Sequence, residues 1–176
     1  RITLNPIKHI DPLGLLSMLI IGAGWAKPVP VNPSYYKNRK VGMAVTALAG
    51  PLANLLLAFV SLLLYKAVWY TSLAVMMQHG EGAVPYWIFI VCIIIQYFAL
   101  INVSLALFNL LPIPPLDGSR VWGLLLPDKW YVAIMRVERY VMGALLLVLV
   151  VFPRVFGFSP LGWLLGPATD AVFGVL

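Results

Sequence analysis

Asp117 is the residue with the most chemistry to offer. It sits in the stretch Asn109-Leu110-Leu111-Pro112-Ile113-Pro114-Pro115-Leu116-Asp117-Gly118. Proline lacks the backbone N–H and restricts the residue before it, so a helix running into this stretch must end there. A lone carboxylate beside broken helix in an apolar chain has two readings. It caps the helix that follows, or it is a functional group held at membrane depth, where ionisable residues are costly. A catalytic zinc ion takes three protein ligands and an open position for water, and Asp117 could supply one of the three. His9, in a loop, is a second candidate, although a lone loop histidine more often serves structure. The helical pair H-E-x-x-H is absent, since the two histidines are His9 and His79. Ser104 and Ser119 have no companion base for nucleophilic catalysis. An aspartyl dyad would need a second carboxylate beside Asp117.

Amides form the next group. Asn54 falls at mid-span of an apolar run and needs a partner there. One reading is an interhelical hydrogen bond that fastens two helices. Gln96 and Asn109 are candidate substrate-binding groups. The competing readings are helix packing for Gln96 and a cap or turn for Asn109. His79 and Glu81 read as a solvated loop.

The elements that position these groups are membrane helices. Of 176 residues, 62% are hydrophobic and 10% charged, and mean hydropathy is +0.95. Soluble domains carry about 25% charged residues. The chain therefore reads as one all-α, polytopic membrane bundle with broken helices, occupying residues 1–176 as a single unit. The net charge of +6 lies in short loops and reports topology, with no basic stripe or motif for nucleic acid. The single cysteine, Cys92, excludes an intrachain disulfide and a CxxC site.

Residues 1–40 read as a surface or re-entrant region. Within it, 15–26 is apolar but shorter than the ~20 residues that a span needs, and 27–40 is a proline-rich, basic, extended loop. Spans are expected at about 42–65, 86–111 and 137–152, with 127–140 an amphipathic interfacial helix and 153–176 an apolar tail. Residues 71–85 read as a loop without Lys or Arg. Basic residues ahead of the first span and after the second put both regions in the cytoplasm, so Asp117 is expected toward the cytoplasmic half of the bilayer.

Four blocks in order resemble the site-2 protease family of zinc intramembrane metalloproteases, in its bacterial and archaeal branch. They are Arg1–Pro12, Gly24–Pro33, Ala49-Gly50-Pro51-Leu52-Ala53-Asn54, and Asn109–Gly118 with its Leu-Asp-Gly. The resemblance implies a Zn2+ cofactor with Asp117 as one ligand. It implies that Asn54 lies near the metal and supports substrate or oxyanion. It also implies that the 24–33 block is an extended, β-like edge near the N-terminus, able to pair with an unwound substrate. The partners implied are a single-span transmembrane substrate and the lipid bilayer of the cell membrane. The family's H-E-x-x-H helix should precede Arg1, so the sequence reads as a truncated portion in preference to a homologue that lost its metal site. A non-catalytic membrane scaffold and a broken-helix transporter are the other readings, the latter without a visible inverted repeat.

Overall fold

The computed structural model describes residues 10–21, 24, 27 and 31–174. Among the described residues six helices follow one another: α1 (Pro12–Ile21), α2 (Arg39–His79), α3 (Tyr86–Asn109), α4 (Asp117–Trp122), α5 (Asp128–Phe156) and α6 (Pro160–Gly174). No β-strand forms among the described residues. The expected extended edge lies largely outside them, and at Pro33–Tyr35 the chain takes a 3-10 turn instead. Asn32 causes that turn, its Oδ1 accepting from the Ser34 N–H at 3.0 Å.

Helix starts follow local chemistry. Asp11 opens α1 by accepting from the Leu13 N–H at 2.9 Å, with Pro12 in the first helical position, where its missing N–H costs nothing. At 10 residues, α1 is about 15 Å long and cannot cross a hydrocarbon layer about 30 Å thick. Asn38 caps α2, accepting from the Val41 N–H at 3.2 Å.

Helix α2 corrects two expectations. It runs for 41 residues, through the expected end at Tyr65 to His79, so residues 71–79 are helix and not loop. Its length is about 60 Å, twice the hydrocarbon thickness. Nothing between Lys66 and Gln78 breaks a helix. Gly80, at φ 90°, does. The third span is also longer than expected. Helix α5 begins at Asp128, takes in the amphipathic segment, and bends by 58° between Glu138 and Tyr140. By length and hydropathy, α2 and α3 can cross a membrane, and the bent α5 makes a third candidate.

The core is made of small residues. Along α2 the buried positions are Ala44, Ala47, Pro51, Ala58, Ser61 and Ser72, spaced by three, four, seven and eleven residues and so on one helix face. Along α3 they are Cys92, Ala99, Asn102 and Ala106. The α2–α3 interface is the most extensive in the protein, and small side chains let the two backbones approach closely. Large apolar side chains such as Leu56, Phe59, Ile94 and Ile101 point outward and are exposed, as a lipid-facing surface requires. Helix α4 packs against α2, and α6 against α3 and α5.

Candidate functional site

The stretch that carries Asp117 folds back onto the end of α3. The Leu110 N–H donates to Ala106 O at 3.1 Å and the Leu111 N–H to Phe108 O at 3.2 Å, after which Pro112 stops the ladder. Leu116 closes a turn by donating its N–H to Ile113 O at 2.9 Å. Gly118 then lies directly on the last turn of α3. A Cβ there would come 2.2 Å from Leu110 O and 2.4 Å from Leu111 O, so only glycine permits the approach. The Trp122 indole N–H adds a hydrogen bond to Leu110 O at 3.2 Å. Helix α4 is thus held against the turn at Leu110 and Leu111 that follows α3, and Asp117 is fixed at its first turn.

Asp117 does not cap that helix. Leu116 occupies the cap position, and no side-chain cap bond forms. The capping reading of Asp117 is therefore corrected. The carboxylate instead faces α2, where a Cβ built on Gly50 would lie 3.2 Å from Asp117 Oδ2. The Gly-Pro-x-x-Asn block and the Leu-Asp-Gly block, 67 residues apart by Gly50 and Asp117 numbering, meet at this point. Asn54 sits one helical turn beyond Gly50, in register with buried Pro51 and Ala58, and is half-buried. Among the described residues its amide forms no interhelical hydrogen bond.

A cavity of about 170 Å³ opens beside the carboxylate, lined by Val31, Met43, Thr46, Ala47, Asp117 and Arg120. Arg120 follows Asp117 by three positions, on the same face of α4. The sequence reading passed over it, although an i, i+3 acid–base pair at a helix start was visible. Asp117 lies outside the two spanning helices. Burial raises its carboxyl above the ordinary value, and the Arg120 guanidinium pulls it part of the way back.

The other candidates divide. Asn109 is the last residue of α3, at the end on which Gly118 rests. Gln96 stands thirteen residues earlier on α3, about 20 Å along the helix, so the fold does not bring it to Asp117. Asn102 is buried, and its Nδ2 donates to Phe98 O at 2.8 Å within its own helix. The Ser119 hydroxyl donates to Leu116 O at 2.7 Å, a bond within its own turn. His79 is exposed at the far end of α2. His9 lies outside the described residues.

A metal fits part of this arrangement. Asp117 offers a carboxylate that no cap consumes, against a glycine wall that leaves space beside it. Among the described residues no three His, Cys, Asp or Glu converge, so those residues supply one ligand of a three-ligand zinc site and not the set.

Comparison with known proteins places these motifs in context. Residues 14–151 match the family described as Peptidase family M50. "Putative zinc metalloprotease YwhC" of Bacillus subtilis is 33% identical over 175 residues, covering 98% of this chain and 74% of that protein. "Putative zinc metalloprotease MJ0611" of Methanocaldococcus jannaschii is 37% identical over 111 residues, covering 62% of this chain and 48% of that protein. "Putative zinc metalloprotease Rip2" of Mycolicibacterium smegmatis is 33% identical over 123 residues, 66% of this chain and 41% of that protein. No solved structure matches.

Proposed function

Because the chain belongs to peptidase family M50, a family of metalloproteases, we propose that it takes part in zinc-dependent proteolysis of single-span membrane proteins within the bilayer. Asp117 serves as one zinc ligand in this reading, and the remaining ligands lie outside the described residues. The observation that carries the assignment is the meeting of two motifs. Gly50 on α2 faces Asp117 Oδ2, and the carboxylate is not spent on capping α4.

Zinc, when bound, supplies polarisation of the peptide carbonyl and an acidic water. The chain's own residues do the positioning. Gly118 and Trp122 pin α4 to α3 and fix the height of Asp117. Gly50 keeps a backbone surface, not a side chain, beside the carboxylate. Asn54, one turn away on the same face of α2, donates its amide to substrate or to the developing oxyanion. Asn109, at the end of α3, lies within the same region and contacts the unwound substrate. The protein crosses the cell membrane several times as a single integral unit, with Asp117 toward the cytoplasmic half.

Zinc content of the full-length protein tests the assignment. The Asp117→Ala variant should lose most bound zinc and proteolytic activity while keeping its thermal transition in detergent. Equal zinc in both proteins would sink the ligand role. Membership of a peptidase family weighs against the transporter reading.

A further inference from the structure

A second, larger cleft, about 970 Å³, lies between the start of α2, α4 and the first half of α5. It shares Met43 and Arg120 with the cavity at Asp117, so the two adjoin across these side chains. Its lining mixes apolar side chains, Met43, Val132 and Met135, with charged ones. Lys37, Arg39, Lys40 and Arg120 line it against two carboxylates, Asp128 and Glu138.

Those carboxylates are engaged. Lys40 Nζ lies 3.2 Å from Asp128 Oδ1, and Arg120 Nη2 lies 3.6 Å from Glu138 Oε1. Lys40 Nζ also donates to Leu126 O. Lys37 and Arg39 form no ion pair among the described residues. The cleft therefore presents apolar side chains and a surplus of positive charge, next to the cavity that holds Asp117.

We propose that this cleft receives the segment flanking the substrate's membrane span and favours substrates whose flank carries Asp or Glu. The proposal rests on the proteolysis reading above. A chain that reaches Asp117 through this cleft must lay its flank past Lys37 and Arg39. An acidic flank meets two uncommitted cations. A basic flank meets the same two unpaired cations as repulsion, and the two carboxylates of the cleft already face Lys40 and Arg120. Like-charge juxtaposition of this kind is how surfaces reject wrong partners. A lipid headgroup would suit the cations too, but the shared wall with the Asp117 cavity, Met43 and Arg120, favours the substrate as occupant.

The test uses the full-length protein, reconstituted with zinc in proteoliposomes of zwitterionic lipid. Three single-span substrates differ only in flank: acidic, neutral and basic. The acidic flank should be cleaved about fivefold more efficiently than the basic one, as two exposed charge contacts allow. The Lys37→Glu/Arg39→Glu double variant should invert that order. A Lys129→Glu variant, whose charge lies outside the cleft, should preserve it. Equal cleavage of all three flanks would overturn the flank preference alone. No cleavage of any flank would overturn the proteolysis reading and this one with it. Loss of flank preference alongside stimulation by anionic lipid, abolished in the double variant, would overturn it in favour of a lipid site.

Discussion

Two glycines near the candidate site are constrained by different neighbours, and their alanine variants should fail in different ways. At Gly118 the added Cβ meets backbone, 2.2 Å from Leu110 O, and backbone at the end of α3 cannot move without unseating α4. Gly118→Ala should lower the thermal transition in detergent and lose activity together. At Gly50 the added Cβ meets a side chain, Asp117 Oδ2 at 3.2 Å. The carboxylate can shift by a few tenths of an ångström, so Gly50→Ala should keep its thermal transition. Activity should still fall, by about tenfold or more, because sub-ångström misplacement is costly at a reacting centre. Equal thermal losses in the two variants would refute the distinction. Asp117 itself was legible from its prolines and its Leu-Asp-Gly context. What stayed hidden was the direction in which its carboxylate points. A capping acid and an acid turned toward α2 share the same local sequence, and the choice depends on a contact 67 positions away in numbering, Gly50 to Asp117.

At the scale of elements, hydropathy located the membrane helices but not their ends. The expectation stopped the first span at Tyr65. A bilayer boundary does not end a helix. Only a breaker does, and the first is Gly80. The same reasoning explains α5, where a polar-faced segment and an apolar one form a single bent helix. The expected edge strand fell mostly on residues 22–30, of which only Gly24 and Lys27 are described. Among the described residues α2 packs most extensively on α3, and of the small residues in its first half Ala44 and Ala47 are buried on the inward face while Thr46, Ala49, Gly50 and Ala53 are exposed. Ala58 is 2% exposed on that face. Ala58→Leu should therefore force α2 from α3 and cost about 1–3 kcal/mol, with a matching loss of activity. Leu56→Ala, on the outward face at 63% exposure, should change stability by about 0.5 kcal/mol or less. Thermal unfolding in one detergent compares the two. A silent Ala58→Leu would mean that the interface is looser than its buried alanines imply.

Across the whole molecule, the helices are joined unequally. Helices α2, α3 and α4 form a packed unit around Asp117, whereas α5 packs mainly on α6. Toward α2 and α4, α5 is linked by charge, through Lys40–Asp128 and Arg120–Glu138. Exposed pairs contribute about 0.2–1 kcal/mol each and weaken with salt, the screening length being about 8 Å at physiological ionic strength. Asp128 is 91% exposed at its side chain, while Arg120 and Glu138 are 27% and 30% exposed. The second pair is thus the better shielded and should matter more. A cysteine at Met135, half-buried in the cleft wall, reports on the separation of α5 from α2 and α4, in a Cys92→Ala background that removes the native thiol. Its reaction with a water-soluble thiol reagent should accelerate about twofold to fivefold in Glu138→Gln, consistent with the loss of one such pair. Asp128→Asn should have a smaller effect, and added salt should raise the rate in the parent and less so in the Asp128→Asn/Glu138→Gln double variant. A labelling rate indifferent to both substitutions would mean that packing, and not the two ion pairs, sets the width of the cleft next to the Asp117 cavity.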